Sequence, residues 1–384
     1  YLTMASAGGL IFGVINIVGN FGTVFVDQAY WQRAIAAQPS STVKGFLLGG
    51  MCWFAIPFTL ATTMGLTAVA LDVELTPEQV QLGLTVPAAA SVLMGEIGAI
   101  MVLVMLFMAV TSAGSAELIA VSSLLTYDIY RTYKNPNATG KQLLKVSRAV
   151  IVAFGLGMGA LAVVLLGMGL SLGFVYLAMG ILIGSAVIPI ALTIIWNRTT
   201  RAGAVAGALV GVCLSLTTWT SVAASEADGV IDIASLGGAF PMLYGNVVAI
   251  LSSGLICVII SLAQNKKYDW KELDKHMSLV TDDMEQHEIT ATEAAKREQD
   301  EEQLKKAFKF SVRGGGLLTL ICVVFWPMPL YFSGYVFDLG FYSLWVGIAV
   351  VWVSVASAFI IGMPIVEARG GFAKVARGNK AASG

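Results

Sequence analysis

One carboxylate stands inside a run of Ala, Ser and aliphatic residues: Glu117, in MAVTSAGSAELIAVSSLLTYDIYR. It precedes Asp128 by eleven residues, about 16 Å of helix at 1.5 Å per residue. An acid that deep in hydrocarbon needs a partner, a water-filled cavity or a proton, so it marks a candidate ion or proton site. The alternative is an acid that reaches the inner interface or bonds to a neighbouring helix. A second stretch, GNFGTVFVDQAYWQR from Gly19 to Arg33, combines Asn20 and Thr23 with Gly19 and Gly22 at the end of an apolar run. The two glycines are expected to loosen the helix so that backbone groups face a cavity, which lipid would otherwise forbid. Asn20 and Thr23 can then bond a small polar solute, while Asp27, Gln28 and Arg33 close the span.

Other patterns carry less chemistry. Ala109, Ser112, Ala113, Ala116, Ala120 and Ser123 recur at three and four and share a helix face, which close packing accounts for. Gly155, Gly157, Gly159, Gly167, Gly169 and Gly173 fall in apolar helices and a short turn, where packing is a better reading than phosphate binding. No Gly-Lys-Ser/Thr element, HExxH or catalytic triad accompanies them, so neither enzyme nor cofactor is indicated. Cys52, Cys213, Cys257 and Cys322 have no metal or redox spacing and are expected to be buried free thiols. His276 and His287 stand eleven apart and are expected to face solvent, not a metal.

The elements that must position these residues follow from composition. With 57% hydrophobic and 12% charged residues and a mean hydropathy of +0.79, the chain is an all-α polytopic membrane protein. A net charge of -1 gives no reason to expect nucleic acid as a partner. Spans of about 20 apolar residues are expected near 8–28, 44–71, 97–126, 146–166, 168–196, 203–224, 242–264, 314–334 and 340–363. All 23 Lys and Arg fall in alternate connections, beginning with Arg33 and Lys44, then Arg131 to Arg148, and ending with Arg369 to Lys380. Positive-inside bias then implies an outside N-terminal end and a cytoplasmic C-terminus. The sequence opens on Tyr1 directly before an apolar segment, which reads as part of a longer polypeptide whose N-terminal half is a further partner.

Residues 265–313 are highly charged with few Gly or Pro and suit exposed helix with pairs such as Glu301 to Lys305. Residues 72–96 carry Pro77 and Pro87 among short helix-forming pieces, as a lid-like external loop would. The sequons at Asn137 and Asn197 sit in connections assigned to the cytoplasm and are read as chance matches. A glycan on either would invert the topology.

Three ordered motifs then point to a family. DQAYWQRAIAAQPSSTVKG, TYDIYR and WNRTTRAGAVAGALVG resemble signature regions of the sodium:solute symporters, and Ser112 to Tyr130 is similar to their urea active transporter branch. The resemblance implies a LeuT-like core of two inverted five-helix repeats, with substrate and ions near the midplane. Residues 1–196 would be the second repeat, 197–264 two peripheral helices, 265–313 a cytoplasmic charged loop, 314–363 two further helices and 364–384 a tail.

It also implies site residues. Asn20, Phe21 and Thr23 fall where sugar-carrying relatives place substrate ligands, and Tyr176 where they place another. Urea, with one carbonyl and four N–H groups, suits amide, hydroxyl and aromatic partners. The family's sodium positions correspond to the Ala109 carbonyl and to Ser112 and Ala113. Ala113 supplies no oxygen, although Thr111 could substitute if the register slips by one. A proton carried on Glu117 therefore becomes the favoured coupling ion, with sodium as the alternative. The expected activity is urea import by proton symport in the plasma membrane, by alternating access. The runner-up is sodium-coupled symport of another solute, and a passive channel or a membrane sensor ranks below both.

Overall fold

The computed structural model describes residues 2–37, 39–270 and 291–381. His276 and His287 lie outside the described residues. Among those described, nine helical stretches are long and apolar enough to cross a membrane: Ala7–Val26, Thr42–Ala70, Thr85–Lys134, Gly140–Gly167, Leu172–Ile195, Arg201–Glu226, Ala239–Gln264, Glu302–Ser333 and Leu339–Val366. These are the nine regions expected from hydropathy. The only extended pairing among the described residues is an isolated bridge between Thr3 and Val336.

The first span, α1 (Ala7–Val26), starts where the Ser6 hydroxyl accepts from the Gly9 N–H at 3.1 Å. It ends at Asp27, whose backbone is extended and whose carboxylate accepts from the Ala29 N–H at 2.7 Å to begin α2 (Gln28–Ala36). Contrary to expectation, α1 runs unbroken through Gly19 and Gly22. The glycines serve contact instead: a Cβ on Gly22 would sit 2.8 Å from Cγ1 of Ile183. The missing side chains let two helices approach, and the interruption falls one turn later.

The second span, α3 (Pro39–Leu60), contains Pro57 and passes through a π turn (Ala61–Gly65) into α4 (Leu66–Ala70). Proline lacks an N–H and crowds the preceding turn, and π turns expose backbone groups. The last helix, α15 (Leu339–Ala381), uses that exposure. Its Trp345 indole N–H donates to the Thr62 hydroxyl at 3.0 Å, and its Tyr342 hydroxyl donates to the Thr62 carbonyl at 3.4 Å.

Residues 72–96 contain α5 (Pro77–Gln81), held by a reciprocal capping box between Thr76 and Gln79. They also contain the start of α6 (Thr85–Ser123), which is broken at Gly95, where φ is 63°. The third span proper begins after that break. It continues into a π-helical stretch over Leu124–Lys134 and packs on α7 (Gly140–Gly167) through a 2.7 Å contact between the Ser122 and Ser147 hydroxyls.

The fifth span is divided into α8 (Leu172–Ile183), a 3₁₀ turn (Gly184–Ala186) and α9 (Val187–Ile195). After it come α10 (Arg201–Glu226), the short α11 (Ile233–Leu236) and α12 (Ala239–Gln264). The pair α10–α12 packs on small residues: a Cβ on Gly207 would lie 2.6 Å from the Ser253 carbonyl, and one on Gly211 would lie 2.7 Å from the Ser253 Cβ. Small residues at every fourth position allow this approach. The buried core sits where α1, α8 and α12 meet, around Ile15, Ala178, Ile181 and Met242.

The charged segment 265–313 becomes helical in its second part, as its composition suggests. There α13 (Ala291–Thr319) continues through a π turn (Leu320–Phe325) to α14 (Pro327–Ser333). Its ion pair joins Glu302 to Lys306 at 2.8 Å; the Glu301 side chain lies outside the described residues. All four cysteines are free, but only Cys257 is buried, while Cys213 and Cys322 are exposed. A thiol behaves as a small hydrophobe, so an outward face bound for lipid suits it as well as a core.

Candidate functional site

Gly19, Gly22 and Gly180 bring α1 and α8 into contact. A Cβ on Gly180 would lie 3.0 Å from the Gly19 backbone nitrogen. That approach carries three predicted residues together. The Tyr176 hydroxyl donates to the Asn20 amide oxygen at 3.4 Å. One turn along, the Thr23 hydroxyl donates to the Gly19 carbonyl at 3.2 Å and contacts the Met179 sulfur at 3.5 Å. Asn20 and Thr23 line a cavity of about 840 Å³ shared with Tyr30, Arg33, Thr42 and Trp53. A urea-sized solute fills little of that volume, so the cavity has the dimensions of a vestibule. Phe21 is not among its lining residues. It points away, 51% exposed, with its ring 6.3 Å from that of Phe25.

The predicted ion positions divide as well. Ala109, Thr111 and Ser112 lie on an exposed stretch of α6, where the Thr111 hydroxyl donates to the Phe107 carbonyl at 2.7 Å and the Ser112 carbonyl accepts from Ser115 at 2.9 Å. Glu117 is half-buried against the junction of α1 and α2. Asp27 and Arg33 are near enough to act on its carboxyl electrostatically. The helices meet there on Ala29, Ala116 and Ala120, all buried, and Gln32 donates to the Ala120 carbonyl at 3.3 Å. A second cavity of about 320 Å³ opens beside this contact between Arg33, Ala116 and Ile119. Arg33 thus borders both cavities.

Sequence reasoning placed Asp27 and Arg33 at the end of a span without connecting them to Glu117. The usable signal was charge: an isolated deep acid calls for a compensating group, and Arg33 is the first basic residue of the chain. A further buried group was missed. Asn246, fully buried, donates to the carbonyls of Leu177 at 3.0 Å and Met242 at 2.8 Å, while its amide oxygen is pressed against Gly180 without a hydrogen-bond partner.

The chain is 50% identical over 378 residues to the urea-proton symporter DUR3 of Oryza sativa subsp. japonica, covering 98% of this chain and 51% of that protein. It is 40% identical over 383 residues to the probable urea active transporter 1 of Schizosaccharomyces pombe, covering 96% and 55%. It is 34% identical over 449 aligned residues to the urea active transporter of Saccharomyces cerevisiae, covering 98% and 60%. The chain therefore spans about half the length of these curated relatives. No solved structure matches. Residues 2–211 match the sequence profile of the sodium:solute symporter family, and with its helical spans and ordered motifs the chain belongs to that family of membrane transporters.

Proposed function

We propose that this chain forms part of a secondary active transporter that imports urea together with protons. The names of its relatives support the substrate class. The observation that carries the coupling ion is that half-buried Glu117 lies close to both Asp27 and Arg33. Two carboxyls brought close together at membrane depth are held most cheaply with one proton between them. With that proton the trio of two acids and one guanidinium is neutral; without it the trio carries one net negative charge, which is costly at membrane depth. Loading a proton therefore favours the state in which this region can be closed off from water, and release on the other side reopens it.

On this reading residues 1–196 are the second inverted repeat, 197–264 and 314–363 are peripheral helices, and 265–313 and 364–384 face the cytoplasm of a plasma-membrane protein. Asn20, Thr23 and Tyr176 contact urea through amide and hydroxyl groups, and Phe21, turned away from the cavity, takes no part. Ala109, Thr111 and Ser112 accompany Glu117 on the coupling helix. Sodium coupling is the weaker alternative, because Ala113 offers no side-chain oxygen where a hydroxyl would be needed.

The test is labelled urea uptake by the protein in cells or vesicles across pH, with sodium replaced by choline. Uptake is expected to rise on external acidification, to survive sodium removal and to collapse with a protonophore. Glu117→Gln should retain facilitated exchange of urea but lose proton-driven accumulation. Sodium-dependent uptake, or a Glu117→Gln variant that still accumulates urea on a proton gradient, would overturn the assignment.

A further inference from the structure

Between α3 and α13 a groove of about 310 Å³ is lined by Leu47, Leu48, Met51, Phe310, Leu317 and Ile321, with Lys44 at one end. Apart from Lys44 its walls are apolar or glycine. Gly314 forms part of one wall and belongs to the run Gly314–Gly316 at the start of the eighth apolar segment. Helical glycine costs about 1 kcal/mol relative to alanine, so three in a row call for a cause. Helix contact does not supply it: a Cβ on Gly314 or Gly315 would meet Leu47 at 3.6 or 3.9 Å, ordinary contact distances, and one on Gly316 would meet nothing within 4 Å. Gly314, the one of the three in the groove wall, leaves room for a slot there.

Basic residues flank the slot. Lys306 and Arg313 each stand four residues before a groove residue, Phe310 and Leu317, and so lie on the same flank of α13. Lys44 comes from α3 on the other side. Lys306 is paired with Glu302, whereas no ion pair involves Lys44 or Arg313 among the described residues. An apolar slot with Lys44 in its lining and Arg313 next in sequence to its Gly314 wall matches one ligand chemistry: an acyl chain joined to a phosphate with net negative charge.

We propose that the α3–α13 groove is a binding site for an anionic phospholipid, with one acyl chain against Gly314 and Leu317 and its phosphate near Lys44 and Arg313. The site is independent of the coupling reading, since it shares none of the residues Asn20, Thr23, Glu117 or Tyr176.

Lipid retention by the purified protein tests it. Native mass spectrometry after exchange into detergent with phosphatidylglycerol or phosphatidylcholine should show one phosphatidylglycerol held per chain and no comparable phosphatidylcholine. Lys44→Gln with Arg313→Gln should weaken retention about 30-fold, from roughly 1 kcal/mol per basic residue near the membrane surface. Gly314→Leu, which fills the slot and keeps the charges, should lower retention of phosphatidylglycerol but not of the soluble headgroup glycerol phosphate. A photocrosslinker at Leu317 should label lipid. Equal retention of both lipids, unchanged retention in both variants, or a crosslink to polypeptide in place of lipid would overturn the proposal. So would glycerol phosphate displacing the lipid completely, which would make the site one for a free anion.

Discussion

Gly180 faces the Gly19 backbone on one side and the Asn246 amide oxygen on the other, so a methyl group there has nowhere to go. Ile183 opposite Gly22 is a side chain and can rotate; the Gly19 backbone cannot. Gly180→Ala is therefore expected to cost about 1–3 kcal/mol, the range for overpacking a filled interior, and to part Tyr176 from Asn20. Gly13→Ala on the same helix α1 meets nothing within 4 Å, and should be neutral or stabilising by up to about 1 kcal/mol. Thermal unfolding in detergent checks the contrast, and equal melting temperatures for the two variants would refute it. At this scale the sequence revealed which residues carry useful chemistry but not how they pair. Asn20, Thr23 and Tyr176 were legible because polar groups in apolar helices are conspicuous and the family resemblance aligned them. Phe21 was placed with them by the same resemblance, yet one helical step of 100° from Asn20 turns its ring away from the cavity. Asp27 and Arg33 were visible as charges, but their meeting with Glu117 depends on how α2 lies across α6, which no local pattern encodes.

Spans were the most legible elements, because a bilayer demands length and apolarity and both are read directly from composition. Their interruptions were not. The break expected near Gly19 and Gly22 is absent from α1, while the fifth span changes to a 3₁₀ turn at Gly184–Ala186 just ahead of Pro189, which has no N–H to offer the Ser185 carbonyl four residues back. Part of the cause lies in other helices. The Ser215 hydroxyl of α10, fully buried, approaches the Ile181 carbonyl at 3.2 Å and the Gly245 carbonyl of α12 at 2.8 Å, so it serves backbone oxygens on two neighbouring spans beside the turn. Removing it leaves those oxygens without that donor where water is excluded. Ser215→Ala is expected to cost about 1–2 kcal/mol, whereas Ser225→Ala, whose exposed hydroxyl bonds only the Val222 carbonyl one turn back at 2.9 Å, should stay within about 0.5 kcal/mol. Chemical denaturation of the two variants decides it. A Ser215→Ala protein as stable as the parent would show that the turn is held by packing alone.

For the whole molecule, direction across the membrane is the property that sequence encodes most widely and coordinates leave open. Every Lys and Arg lies in alternate connections, and the described helices preserve those connections, with Arg131 and Lys134 after α6 and Arg198 after α9. The connection between α10 and α11, around Val230, holds acids and no base. Positive-inside bias then sets Val230 outside and Asn137 inside. The native thiols interfere little with a labelling test, because Cys52, Cys213, Cys257 and Cys322 all lie within the nine spans, though a cysteine-free background removes them entirely. In that background Val230→Cys should react with a membrane-impermeant maleimide in intact cells, and Asn137→Cys only after permeabilisation. Both side chains are exposed, so failure to label reports sidedness and not burial. The Asn137→Cys change also deletes a sequon, which makes the parent a second witness: a glycan on Asn137 together with reversed labelling would invert the orientation. Arg33 and Lys44 are expected on the same face as Asn137, so inversion would also move the cavity of Asn20 and Thr23 to the opposite side of the membrane.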